Sequence, residues 1–306
     1  MPTGHPNNGY DGYIEGLRAL GHEVPPAFNM RSYHDMPRDG YDFFLQFDCC
    51  DTLSNPPVNY MTVYWAYDNW QNYTNERQPD YRGNGHFCRQ EYYLPRGQMA
   101  DLLFSMSLLG VENYAAHGIP SCFMPIGADE RLERRPGIME KKYSVVSICN
   151  FWHMGHLNNR RGELVSAIQT VTPPDGPHGP SILSNQVDYF EQADLYAQAK
   201  IGWNYSPCGF DVLNFRTFEI MIAGTCQLIN ERAVPTLQTI GFEPGTDFVS
   251  YADDESDLLQ KVQDLLAHDE ERERIARNGY EKTKASHTMR HRMQMVCEMV
   301  ERRLNA

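Results

Sequence analysis

At 306 residues, with 41% hydrophobic and 22% charged positions, the chain has the makeup of roughly two globular domains rather than of a disordered segment. A formal net charge of −13 argues against nucleic acid as a partner, because a polyphosphate is gripped through a broad basic face; it leaves room for a small phosphorylated ligand held by a few local arginines. No apolar run of membrane-spanning length and no basic leader followed by an apolar core is present, so neither a membrane span nor a signal peptide is expected.

The predicted elements alternate. "NNGYDGYIEGLRALGHEV" sets Tyr13, Leu17 and Leu20 at helical spacing, with Gly21 as the stop. In a Rossmann-like domain a buried strand precedes such a loop and helix, and here only Met1 and Pro2 stand before the Gly/Asn-rich stretch. "YDFFLQFDC" and "YMTVYWAYD" read as strands, "ADLLFSMS" as a third, "GVENYAAHG" as a short helix and "PSCFMPIG" as a further strand. Residues 71–98 are polar and rich in Gly and Tyr, and read as a long functional loop. The aromatics of 60–93 are core residues by pattern, with stacking on a sugar or base as the alternative in the polar loop.

The charged stretch 127–142, with Pro136 and Gly137 in its middle, reads as an interdomain linker. Beyond it a second alternation begins. "YSVVSICNF" is a strand, "NNRRGELVSAIQTV" a helix, 173–180 a Pro/Gly loop and "QVDYFEQADLYAQA" a helix. "KIGWNYS" is a strand, then come the helix and strand of "NFRTFEIMIAGTCQLIN", strand "DFVSYA" and helix "ESDLLQKVQDLLAH", and 269–306 is helical throughout. Two such halves indicate an α/β chain of two mostly parallel sheets with a ligand cleft between them, beyond the carboxyl ends of the strands. The eight cysteines, at 49, 50, 88, 122, 149, 208, 226 and 297, form no CxxC and no Cys/His cluster. They read as buried, reduced thiols of a cytoplasmic protein, and no metal site is expected.

Two places carry chemistry. Arg160 and Arg161 follow Asn158 and Asn159 at a predicted helix start, where the helix dipole disfavours cations, so either an anion lies there or the segment is a solvated turn. No P-loop pattern occurs. Glu219 lies one turn from Arg216 on a helix that is otherwise apolar and ends at Gly224. A carboxylate there either reads sugar hydroxyls at a cleft edge or pairs with Arg216 on an exposed face.

"NFRTFEIMIAGTCQLIN" resembles the R-x-F-E-x-x-x-x-G segment of the CgeB-like glycosyltransferases, a branch of the GT-B superfamily. The likeness continues through "FEPGTDFVSYADDESDLLQKV" to "IARNG" and "HTMRHR". Upstream it takes in "YSVVSICNFWHMGHLNNRRGELVSAI" and "VYWAYDN", so that it covers most of residues 60–300 and is densest from 200 to 292. It implies a GT-B fold: an N-terminal acceptor domain over 1–130, a nucleotide-sugar donor domain over 131–286, and a C-terminal helix, 287–306, returning to the N-domain. It implies a transferase acting on a nucleoside diphosphate sugar, UDP-linked in expectation, and an unidentified acceptor, with no cofactor. Arg160, Arg161, Arg216, Glu219 and Gly224 form the implied donor-binding set, with Glu219 on the ribose. The family's earlier acid, eight positions upstream, is here Asp211, which leaves retention or inversion at the anomeric carbon open. Asp68 and His117 are the candidates for a general base, each with a plain structural alternative, and His287 reads as a residue that orients the last helix. The absence of D-x-D suits metal-independent chemistry. An epimerase or hydrolase of the same fold, or a silent nucleotide-sugar-binding module, are the competing functions.

Overall fold

The computed structural model describes residues 11–25, 39–47, 59–66, 90–148, 156–184, 187–205 and 213–306. The chain forms two compact units. One takes in the chain up to Ile126 together with Arg290–Ala306, and the other is built from Gly127–Gly209 and Leu213–Met289.

In the first unit, strands β1 (Phe43–Phe47), β2 (Met61–Ala66), β3 (Leu102–Ser105) and β4 (Cys122–Phe123) lie side by side in chain order, every pair parallel. Helices α1 (Asp11–Ala19), α2 (Gln90–Met99) and α3 (Leu108–Ala116) belong to the same unit. The inner strand β2 buries Tyr64, Trp65 and Ala66, as a strand paired on both edges should. Trp65 packs edge-on to Tyr13 of α1 and donates its indole N–H to the Met124 carbonyl at 3.0 Å. These aromatics are core, as their pattern indicated.

Three sequence readings change here. Residues 90–98 are helix α2, not loop, although Pro95 stands inside it; the remainder of 71–98 falls outside the described residues. β3 stops at Ser105 because Ser107 turns to cap α3, its Oγ accepting from the Gly110 N–H at 3.0 Å. β4 keeps only two residues between Pro120 and Pro125, each of which lacks the N–H that a longer ladder needs.

The second unit holds β5 (Tyr143–Ile148), β6 (Ile182–Ser184), β7 (Ala199–Asn204), β8 (Cys226–Asn230) and β9 (Val249–Tyr251), all parallel, in the order β6-β5-β7-β8-β9. Its helices are α4 (His156–Val171), α5 (Glu191–Ala197), α6 (Phe215–Ile222), α7 (Val234–Thr239), α8 (Leu258–Ala267) and α9 (Asp269–Ser286). On one face Val145, Ile201, Trp203 and Leu228 pack with Leu164 and Ile168 of α4 and Leu258 and Val262 of α8. On the other, Val146 and Ala199 meet Tyr196 of α5 and Ile220 of α6. Gly202 permits that second contact, since a Cβ there would lie 2.4 Å from Ile220 Cγ2. β6 and α7 escaped the sequence reading: the first is a three-residue strand behind a Pro/Gly loop, the second a six-residue helix opening on Pro235.

The helical segment 269–306 is two helices, α9 and α10 (Met289–Leu304). Ala128 causes the break. Its N–H takes the His287 carbonyl and its carbonyl takes the Met289 N–H, each at 2.8 Å, so both groups leave the helical ladder. Gly127 lies so near that an added Cβ would stand 2.6 Å from the Thr288 carbonyl carbon. The charged stretch 127–142 is thus integrated into the second unit, with Asp129 and Leu132 buried in it. In the first unit, the buried Arg292 of α10 donates to the Pro125 carbonyl at 2.8 Å.

Candidate functional site

The strand order of the second unit defines where a ligand can bind. From β5 the chain crosses to β6 on one side and then returns to β7 on the other, so the order reverses between β5 and β7. In open parallel sheets such a reversal leaves a crevice beyond the carboxyl ends of the two strands. The chain leaving β5 leads to α4, which carries Arg160 and Arg161; the chain leaving β7 leads through Tyr205 to α6, which carries Arg216 and Glu219. The topology therefore brings four of the expected donor-binding residues to one end of one sheet.

Helix α6 begins where its sequence says it should. Asn214, in extended conformation, accepts the Thr217 N–H on its side-chain oxygen. The same residue exchanges two amide hydrogen bonds with Asn204 at the end of β7, at 2.9 and 3.0 Å. Asn204 also donates to Thr217 Oγ1 at 3.1 Å and accepts from Arg216 Nη1 at 3.1 Å. A fully buried asparagine thus ties strand end, helix cap and Arg216 into one network. At the other end of α6, Gly224 takes φ +69°; its N–H bonds Met221 O and the Thr225 N–H bonds Ile220 O. A Cβ there would stand 2.8 Å from the Arg134 carbonyl oxygen. Gly224 is a turn residue required by backbone conformation, at the end of α6 away from the helix start.

Glu219 is not on an exposed face paired with Arg216. Its residue exposure is 8%, and Arg216 reaches Asn204 instead. Burial pushes its carboxyl up to about 7 and the nearby charge of Asp129 adds to this, against the opposing pull of Arg216 and of a hydrogen bond with the Gln192 side chain of α5. Asp129 is itself buried, bound by Arg131 through Nε at 3.0 Å and Nη2 at 2.6 Å and by the Tyr189 hydroxyl at 2.9 Å. Burial, with the charges of Glu219 and Asp129, holds the Tyr189 phenol far above its ordinary range. A carboxylate in this setting is held in place, poised between its two protonation states at neutral pH, and suited to accepting hydroxyl groups.

The two arginines of α4 differ. The helix begins at His156, so both stand a turn inside it rather than at its start. Arg160, 45% exposed in its side chain, is held by Glu163 at 2.8 Å and by Glu255 through Nε at 2.8 Å and Nη2. Arg161 is 6% exposed, and its guanidinium lies over the Tyr205 ring, 5.9 Å from the centroid.

Of the other candidates, Asp68 and Asp211 lie outside the described residues. His117 is the exposed C-cap of α3, its Nδ1 bonded to the Asn113 carbonyl at 2.8 Å. That is the plain structural alternative for this residue. His287 stacks on Phe218 and lies tilted against Phe242 at the end of α9, just before the break that precedes α10. Cys226 and Cys297 are buried free thiols, whereas Cys122 is exposed. Among the described residues no three His, Cys, Asp or Glu side chains gather as a metal cage, and no helix is long and apolar enough to cross a membrane.

Sequence reasoning passed over Asn204, Gln192, Asp129, Tyr189, Tyr205 and Glu255. Asn214 alone had a local signal, a capping residue just before an apolar helix.

Comparison with known proteins follows these lines. A family described as glycosyl transferase-like matches residues 162–298. No curated protein matches the chain by sequence. Among solved structures it is similar to a sucrose-phosphate synthase from Thermosynechococcus elongatus, with a TM-score of 0.56 and 16% identity over 80% of this chain and 68% of that one. It is similar to Anabaena HepE in complex with UDP-glucose, with a TM-score of 0.52 and 12% identity over 80% of this chain and 73% of that one. A third is the pneumococcal O-GlcNAc transferase GtfA in complex with UDP and GlcNAc, with a TM-score of 0.54 and 13% identity over 81% of this chain and 53% of that one. At such identities the likeness speaks for the fold: two parallel-sheet, Rossmann-like domains as in GT-B structures.

Proposed function

We propose that this chain is a CgeB-like glycosyltransferase that moves a sugar from a UDP-linked donor to an acceptor hydroxyl without a metal ion, acting in the cytoplasm. The observation that carries the reading is the strand order, which leads α4 with Arg161 and α6 with Arg216 and buried Glu219 away from the carboxyl ends of β5 and β7, Arg216 and Glu219 lying on the stretch that matches the glycosyl transferase-like family. Glu219 accepts the ribose hydroxyls in its ionised form. Arg161 and Arg216 take up the charge that develops on the leaving diphosphate, which is the term that most lowers the barrier to breaking the anomeric bond. Arg161, buried and held over the Tyr205 ring, is the member of the pair assigned to the diphosphate. Asp211 and Asp68 remain the acids for the sugar and acceptor sides.

A panel of nucleotide sugars tests this. UDP released from one donor, in step with an acceptor, supports transfer. Isomerised donor supports an epimerase, acceptor-independent UDP a hydrolase, and binding without turnover a silent module; any of these three refutes transferase activity.

A further inference from the structure

Glu255 is the only non-glycine residue with positive φ among the described residues, at +60°. A side chain with a Cβ is disfavoured there, and such a conformation persists where its surroundings over-determine it. Its turn is closed locally, Glu255 N–H to Ala252 O at 2.8 Å and Leu258 N–H to Glu255 O at 3.2 Å, just before α8. Turn geometry alone would be met by Gly or Asn, so the long acidic side chain calls for another reason. The carboxylate, 8% exposed, accepts from Arg160 of α4 and hydrogen-bonds the hydroxyl of Tyr205, the residue that follows β7. The Tyr205 ring in turn carries the Arg161 guanidinium.

We propose that Glu255 is a positioning residue for the phosphate-binding cation: it fixes the Tyr205 ring, and the ring fixes the direction of Arg161. This rests on the assignment of Arg161 to the diphosphate above. The arrangement ties three segments, the second turn of α4, the end of β7 and the turn before α8, at the end of the sheet where the strand order reverses. A ring orients a guanidinium by its face. Orientation sets how well a planar fork meets phosphate oxygens, so loosening the ring weakens binding without removing the cation.

Calorimetric titration of UDP, with melting curves, into wild type, Arg161→Met, Tyr205→Phe, Glu255→Asn and Glu255→Gln tests the chain of contacts. Asn accepts positive φ but is one methylene short of the ring hydroxyl, so Glu255→Asn should melt no lower than wild type while binding UDP about tenfold more weakly. Tyr205→Phe keeps the ring, loses its tether and should match that loss; the double variant should lose no more than either single one. Glu255→Gln keeps both length and an accepting oxygen, and should stay within about threefold of wild type. Wild-type affinity in Glu255→Asn, additive losses in the double variant, or an equal loss in Glu255→Gln would overturn the inference. If Arg161→Met itself binds UDP normally, the diphosphate assignment fails first and takes the inference with it.

Discussion

Glu219→Gln separates a ligand-reading acid from a merely structural one, because its effects on stability and on binding have opposite sign. The carboxyl stands at about 7 in the folded chain against an ordinary 4.5, chiefly through burial. For a raised acid, the stability contribution is complete below the unfolded value and is lost as pH rises through the folded one. A shift of this size corresponds to a loss of roughly 3 kcal/mol at pH 8 and of none at pH 4. Glutamine keeps the shape and carries no charge at any pH, so the variant escapes this penalty. For a unit of this size the difference amounts to roughly 5–10 °C in favour of the variant at pH 8, shrinking as the pH falls to 5.

Binding runs the other way. A hydrogen bond to a charged acceptor contributes about 1.5–3 kcal/mol, so UDP affinity at pH 8 should drop about ten- to a hundredfold in Glu219→Gln. Wild type should bind more weakly at pH 6, where only about a tenth of the carboxyl is ionised, and proton release should accompany UDP binding near pH 7. The variant serves as control for the titration of UDP's own phosphate. Calorimetry in buffers of differing ionisation enthalpy, beside melting curves from pH 5 to 8.5, reads both effects. Wild-type UDP affinity in the variant refutes the ribose assignment; a variant that melts lower at pH 8 refutes the account of the buried charge.

Arg161→Met should weaken UDP binding by about tenfold or more and Arg160→Met by no more than about threefold, since Arg160 is already shared between Glu163 and Glu255; equal losses would remove the distinction. Gly224→Ala forces a Cβ onto the Arg134 carbonyl at positive φ and should cost about 1–3 kcal/mol, seen as a lower melting temperature. Turnover should survive EDTA, and activity lost to chelator and restored by magnesium or manganese would defeat the metal-independent reading.

The α/β alternation was legible because buried parallel strands are short apolar runs and their helices repeat at helical spacing; β5, β7, β8, α4 and α6 all fall where that pattern puts them. What stayed hidden depended on contacts distant in sequence. The contact behind the break before α10 belongs to Ala128, some 160 residues earlier, whose backbone takes two helical hydrogen bonds.

The site divides in the same way. Glu219 stood out because a charge in an apolar helix is locally costly, and Arg160 and Arg161 because the dipole disfavours cations at a helix start; both costs can be read one residue at a time. Local reading left Glu219 even between an exposed ion pair and a cleft-edge acceptor of sugar hydroxyls. What speaks against the exposed pair is burial and that Arg216 is drawn to Asn204, at the end of a strand twelve residues upstream, while Gln192 and Asp129 act on Glu219 from two other segments. These partners are ordinary polar residues, with no spacing of their own to mark them. A buried carboxylate cannot keep its charge on one favourable neighbour: here one cation and one amide favour ionisation, while burial and a second acid oppose it. The near-balance leaves the group titrating close to neutrality, so a ligand hydroxyl that prefers the ionised form is enough to tip it.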